Sequence, residues 1–302
     1  MSKWGEIQKK NVLVMDGIRE IITLPLNDNP FERCCYNLCV FADLSDADNY
    51  RNDWTSFLKI IPQSYSSVNM ELEKYVDGVW TIQAALVDDT YGTFYALGFE
   101  TKGNNNLIGY RINWVEVLSA FSTGKYRVKF DLTSTAIYSD SYCLESFSQY
   151  AVDNSVRIEW LWDSVIGDRH SQDTRDFAGL DWWNQIRICN GIFGYKKGGF
   201  ETESRRYENG FEDSVSKTYS EDYTMILRGL PIEVHDVIIY DILQADEILI
   251  TDYNSWNNSG SYIDKSVEIS GAYEPNYQGT NTKPSIQLTF KDRFSNRRKL
   301  YS

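Results

Sequence analysis

Alternation with a period of two dominates the first half of the chain. From Val68 to Lys74 apolar and polar residues take turns, Asp77-Gly78 follows, and Trp80-Thr81-Ile82 resumes the alternation. Alternation lets a strand show one face to a core, and Asp-Gly accepts the positive φ angles of a tight turn. The pattern predicts a β-hairpin. Segments 91–99 and 107–112 read as further strands, separated by the polar residues Gly103 to Asn106. One helix interrupts them. Asn113 stands as its cap, Glu116 sits three residues on like the acid of a capping box, and Val117, Leu118 and Phe121 form an apolar face. Ser122-Thr123-Gly124 stops it, and 126–130 returns as a strand.

The second half restates this order. Val156, Ile158 and Trp160 share one face of an alternating segment, and 186–188 resumes a strand. Between them, 163–181 is polar and irregular and reads as a long loop, a common place for function. Pro231 can open a second helix, with Val234, Val237, Ile238 and Ile242 near helical spacing. Segments 247–251 and 285–290 then read as strands. The expected fold is mainly β: two antiparallel β-sandwich-like domains, each with one accessory helix. The domain boundary is placed in the small, polar stretch 133–141. The expected domains are 1–135 and 136–302, the latter with a long loop at 163–185 and a basic C-terminal arm.

Composition sharpens this picture. The 302 residues include 21 Tyr, 14 Phe and 9 Trp but only 2 His, and hydrophobic residues make up 42%. That is enough apolar material for a core, and the aromatic excess favours strands and contact surfaces. The formal net charge is −13, yet Lys291 to Ser302 holds five bases and one acid, a local +4 against −17 elsewhere. An acidic body repels phosphate, which argues against wrapping nucleic acid. Neither a secretory h-region nor an apolar run long enough for a membrane helix is present, so no membrane insertion is expected. Five scattered cysteines (Cys34, Cys35, Cys39, Cys143, Cys189) do not form a disulfide framework and read as free thiols made in a cytosol.

Candidate chemistry is sparse. Cys34, Cys35 and Cys39 lack a fourth ligand at zinc spacing, and His170 and His235 have no partner histidine nearby. No metal or cofactor site is expected. The nucleophile-elbow, P-loop and zinc-helix motifs are missing, and no catalytic residue is assigned. Glu159, Asp163, Asp168, Asp173, Asp176 and Asp181 cluster in sequence around Trp160, Trp162, Trp182 and Trp183. Two acids beside aromatic platforms is the arrangement of a glycoside hydrolase. The plainer reading is an acidic, self-solvating loop beside tryptophans that plug a core or an interface. Glycan binding through Trp182 and Trp183 is the alternative to a structural role, and hydrolysis ranks below it.

Segments 187–210, 223–254 and 285–299, with the landmarks Glu203, Tyr207, Leu230-Pro231, Ala245-Asp246-Glu247-Ile248, Ile250-Thr251-Asp252-Tyr253-Asn254 and Phe290-x-Asp292, carry a family resemblance. So do 77–87 and 109–130. Over some two thirds of its length the chain resembles virion tail structural proteins, of ring or hub type, from crAss-like and related Bacteroidetes-infecting phages. The resemblance implies a non-enzymatic subunit of a tail barrel, assembled in the bacterial host cytoplasm and located in the virion. Its partners would be further copies of itself in a closed ring, neighbouring tail proteins, and phage DNA passing without specific binding. A ring subunit joins copies through two different patches. The basic residues Arg293, Arg297, Arg298 and Lys299 are expected to form one patch, and Asp163, Asp168, Asp173 and Asp176 the other.

Overall fold

The structure is a computed structural model. It describes residues 39–45, 52–62, 69–87, 90–97, 105–132, 135–139, 141–148, 155–163, 165–167, 174–176, 182–189, 191–227, 235, 238–239, 242–252, 262–271, 273–274, 285–293 and 296–299. The fold is mainly β, with antiparallel sheets in sandwich-like arrangements. The first half carries β1 (Cys39–Ala42), β2 (Trp54–Pro62), β3 (Asn69–Val76), β4 (Val79–Ala85), β5 (Gly92–Leu97) and β6 (Asn105–Asn113). Helix α1 (Trp114–Phe121) and strands β7 (Gly124–Leu132), β8 (Thr135–Tyr138) and β9 (Tyr142–Ser146) follow.

Two sheets result. One has the order β1-β9-β7-β3-β4 with β8 also on β7; the other is β2-β6-β5. Only β1 and β9 pair in parallel within the first. The expected hairpin is β3–β4, turned at Asp77 (φ 50°) and Gly78 (φ 87°), the two left-handed residues a type I′ turn demands. Alternation on β3 holds: Met70 and Leu72 point into the core.

Helix α1 links the two sheets, running directly from β6 and ending where β7 begins, and it packs on β1 and β9. Trp114, Val117 and Leu118 are buried beneath it, and Phe121 is half-buried. Each large apolar side chain removed from water there stabilises the fold by roughly 1.5–3 kcal/mol. The capping box does not form. Asn113 makes no side-chain cap bond, and Glu116 instead accepts from the Tyr91 amide at 3.1 Å. The helix is held by its buried face and by the Trp114 indole, which donates to Thr55 Oγ1 at 2.8 Å.

The boundary placed at 133–141 falls inside this first set of sheets, because β8 and β9 pair with β7. Polar composition alone misplaced it: Thr135–Tyr138 is itself a strand, and Ser139 N donates to Val128 O at 2.8 Å. The next described strand is β10 (Ser155–Trp162).

The second half holds β11 (Val165–Gly167), β12 (Thr174–Asp176), β13 (Trp182–Cys189), β14 (Gly191–Arg206), β15 (Glu212–Leu227), β16 (Glu247–Asp252), β17 (Tyr262–Ile269), β18 (Ile286–Asp292) and β19 (Asn296–Lys299). Eight of its strands form one sheet in the order β13-β10-β16-β17-β18-β15-β14, with β19 on β15. The sheet rolls so that the start of β14 meets β10 and β16. Gly191 permits that approach: a Cβ there would lie 2.6 Å from Val156 Cγ1. Phe193 N then donates to Asp252 Oδ2 at 2.8 Å, and the Phe193 ring stacks on Tyr223 and meets the Phe290 ring edge-on. The interior contains Val156, Ile158, Trp160, Trp162, Trp182, Met225, Ile250 and Leu288.

One expectation changes here, and one falls mostly outside the described residues. The 163–181 stretch is not wholly irregular, since β11 and β12 pair within it. The helix expected from Pro231 lies mostly outside the described residues; His235, Ile238 and Ile239 are helical, and a 3-10 turn follows at Ile242–Gln244.

Candidate functional site

Among the described residues, the β14–β15 hairpin is a prominently exposed, organised feature. Its strands are 16 residues each, roughly 50 Å when extended. The base is core: Phe193, Tyr223, Met225 and Leu227 are buried. Beyond it, every residue from Glu201 to Glu212 is exposed, so the distal part is an arm. A free two-stranded ribbon is marginal in water, and this one is braced. Strand β19 adds to β15 along Ser216–Tyr219, Ser216 Oγ donates to Glu203 Oε2 at 2.5 Å, and Ser204 Oγ bonds Glu212.

The tip is built from Tyr207 to Phe211. Tyr207 N donates to Phe211 O at 2.8 Å, Gly210 N to Tyr207 O at 2.9 Å, and Phe211 N to Asn209 Oδ1 at 3.0 Å. Gly210 takes φ +81°, which a side chain would strain. These bonds hold the Tyr207 and Phe211 rings 6.3 Å apart, with Arg205 5.6 Å from the Tyr207 ring. Tyr207 is 44% exposed and Phe211 61%. An aromatic pair at the end of a polar ribbon is suited to anchoring in a partner's pocket.

An open cleft of about 460 Å³ lies in the first half, lined by Ala42, Asp43, Leu44, Leu118, Ser146 and Phe147 among others. Leu44 stands at 64% exposure. Asp43 is held in place: its amide donates to Asn52 Oδ1 at 2.6 Å, and its Oδ1 accepts from Ser45 N and Ser45 Oγ. Phe147 N donates to Ala42 O at 2.7 Å, joining the two walls.

The halves meet along a polar seam between β1–β2 and β13–β10. Arg187 Nε and Nη2 donate to Asp53 Oδ2 and Oδ1, both at 2.6 Å, and Phe41 N also donates to Oδ2 at 2.8 Å. Nearby, Arg157 reaches Glu159 at 3.5 Å, Asp264 at 3.3 Å and the Asn52 carbonyl at 3.4 Å. Gln185 Nε2 donates to Glu159, while Gln185 Oε1 accepts from Trp54 N. Burial pushes the Glu159 carboxyl above the usual carboxylate range, and Arg157 and Gln185 oppose that only in part. Ser56 Oγ and Arg111 both donate to the Trp183 carbonyl, and the Arg111 guanidinium lies 4.3 Å from the Trp54 ring.

A second cationic stack sits on the first sheet. Arg127 is sandwiched between Trp80 at 4.2 Å and Tyr138 at 3.9 Å and pairs with Glu73 at 2.6 Å. Burial lowers the Lys125 ammonium from its ordinary range, and its Nζ lies 5.7 Å from the Tyr75 ring.

The residues expected from sequence fare unevenly. Trp182 is 1% exposed and belongs to the core, so it presents no platform to a sugar; Trp183 is half-buried at the seam. Its period-two position on a strand with both faces covered explains the burial. Glu159 is drawn into the seam rather than into an acidic cleft. Asp163 is exposed, and its amide donates to Asp246 Oδ2 at 2.7 Å. Asp176 lies in β12, opposite Val165; Asp168, Asp173 and Asp181 lie outside the described residues. Arg293 pairs within the chain with Glu247 at 3.4 Å. Arg297, Arg298 and Lys299 stand in β19, opposite Thr218, Lys217 and Ser216 of β15. The basic arm is thus a strand of its own sheet, not a free segment: backbone pairing with β15 captures it. Cys39 and Cys143 are Cα neighbours across β1 and β9, and Cys143 is buried. Among the described residues no group of three or more His, Cys, Asp or Glu is placed to hold a metal.

No protein-family model matches this chain, and no curated protein is significantly similar to it. Among solved structures, the ZIG-8 IG1 homodimer is similar at 9% identity and a TM-score of 0.20, covering 48% of this chain and 100% of that one.

Proposed function

We propose that this chain is a non-enzymatic structural subunit of a bacteriophage tail, a ring or hub protein that assembles with further copies of itself and with neighbouring tail proteins. The reading rests on the resemblance of segments 77–87, 109–130, 187–210, 223–254 and 285–299 to such proteins. One structural observation carries it: the braced β14–β15 arm, whose exposed Tyr207–Phe211 tip is held ready by its own hydrogen bonds. A self-supporting hairpin with an aromatic end is costly to expose and useful only when it meets something. The seam around Asp53 and Arg187 fits the same role, because it braces the two halves into a body that can bear load between neighbours. Net charge of −13 suits a wall past which DNA slides without sticking.

The test is protein identification together with electron microscopy on purified particles from the phage that encodes the chain. A fixed stoichiometric copy number, with density in the tail, is the expected result. Particles lacking the chain would sink the reading.

A further inference from the structure

We infer that β4 is a docking edge for a second copy of this chain, pairing antiparallel with the same strand of its partner about a two-fold axis at Thr81. The contact rests on the strand alone and stands apart from the tail reading. Among the described residues β4 ends the first sheet and pairs only with β3. Open edges normally carry a charge, a proline or a cover that blocks a further strand. From Gly78 to Val87 this segment has no charged residue and no proline. Its apolar side chains also stand in the open: Val76 is 41% exposed, Val79 62%, Ile82 56% and Val87 55%. One bulge interrupts the pairing with β3, between Leu72 and Glu73, and it leaves Val79–Ile82 regular. The distal part of β14, by contrast, carries Glu201, Glu203, Arg205 and Arg206.

The register follows from the hairpin. Val76 and Val79 flank a two-residue turn and therefore exchange hydrogen bonds, and by alternation so do Lys74 and Thr81. Trp80 and Ile82 then turn their backbone N–H and C=O groups away from β3, toward the open edge. A second β4 centred on Thr81 sets Trp80 opposite the partner's Ile82 and Ile82 opposite the partner's Trp80. Each such pair exchanges two backbone bonds. Sliding the register by one pair brings the Gly78 turn, or Ala84 beyond the bulge, opposite these residues and loses bonds. The side chains agree with the two-fold. Tryptophan against isoleucine is an aromatic–β-branched pair, threonine meets threonine, and both pairings favour neighbouring strands. The strand also holds its shape beforehand: Asp77-Gly78 fixes the turn, and the Trp80 ring packs on Tyr75 at 5.1 Å and Arg127 at 4.2 Å. This self-complementarity selects a second copy, whereas a charged partner strand would find no countercharge on β4. A contact of a few strand residues is smaller than a standard interface, so weak association is expected.

The experiment uses the purified full chain and reads molar mass by light scattering as concentration rises from micromolar to millimolar. The wild type is expected to double in mass, since a two-fold contact uses up the edge. Thr81→Lys and Thr81→Glu each set like charges directly opposite one another and should weaken association about tenfold or more. Mixed one to one, the two variants set lysine against glutamate and should recover it. Thr81 is exposed, so unchanged circular dichroism and melting serve as the folding control. Thr81→Cys gives an independent readout. At a non-hydrogen-bonded pair the facing Cα atoms lie about 4.5 Å apart, within disulfide reach. Mild oxidation should link this variant into a reducible dimer that neither the wild type nor Val79→Cys forms, although Val79 is itself exposed. A wild type that stays monomeric at millimolar concentration, association untouched by either charge, or a mixture no better than its components would each overturn the contact. So would oxidation that links Val79→Cys as readily as Thr81→Cys, the result of random collision.

Discussion

Asp53 and Arg187 face each other across the two halves of the chain in a bidentate pair, both contacts 2.6 Å, with side chains 1% and 0% exposed. Arg187 also donates to Ser155 Oγ, and Asp53 also accepts from Phe41 N, so both groups have further partners. Replacing only Asp53 strands a buried guanidinium. Asp53→Ala is therefore expected to cost about 3–5 kcal/mol in urea unfolding. Asp53→Leu with Arg187→Met removes both charges and should recover most of that loss. If the double variant is as unstable as the single one, packing rather than charge compensation governs the site.

Glu159 gives the seam a pH dependence of defined sign. Burial raises its pKa, so the folded protein keeps a proton that the unfolded chain has already released. Its contribution is complete below the ordinary carboxylate range and is lost as pH rises through the raised value. Glu159→Gln keeps an acceptor for Gln185 and cannot ionise. The stability of this variant relative to wild type should climb in the variant's favour from the ordinary carboxylate range upward, then level off. Urea melts at a series of pH values measure it, and a flat difference would contradict the assignment.

Trp182 separates a structural from a recognition role. It is packed in the interior with Trp160 and Trp162, so Trp182→Ala leaves a large cavity and should cost about 3–5 kcal/mol. Thermal melting checks this. A glycan platform predicts the opposite result: unchanged melting with selective loss of binding on a glycan array.

Local pattern made the strands legible where alternation met a turn, as at Asp77-Gly78, and where an apolar face met a stop, as at Ser122. It failed on what depends on distant partners. Glu116 has the spacing of a capping box, but the Tyr91 amide claims it. For Trp182 and Trp183 the sequence left a plug in the core or an interface beside a glycan platform, and only the fold places Trp182 in the interior and Trp183 half-buried at the seam. The arm was missed as a structure altogether. Its strand 191–206 mixes Gly194, Gly198 and Gly199 with charges, which weakens a period-two signal. The one available sign was Asn209-Gly210, a hairpin dipeptide between two runs of alternating polar residues. The seam was illegible for a related reason: Asp53, Arg157 and Arg187 look like surface charges until the halves meet.

The basic C-terminal segment changes most between sequence and structure, and it supplies the last prediction. As a solvated arm its removal would leave the folded chain untouched. As β19 it gives β15 a second neighbour along Ser216–Tyr219, just where the hairpin leaves the body. Asp292 must be spared in the test, because it is buried and accepts from Lys265 at 2.6 Å. The Arg293–Glu247 pair is half-exposed and contributes only about 0–1 kcal/mol. Deleting residues 294–302 then removes β19 while leaving Asp292 and Arg293 in place. Amide exchange at 212–220 should quicken by about tenfold or more, since those strands lose a partner and fray toward a two-stranded ribbon. Exchange in β16, β17 and the buried part of β18 should hardly move. If exchange in the arm is unchanged after the deletion, β19 does not brace it, and the hairpin stands by its cross-strand bonds alone.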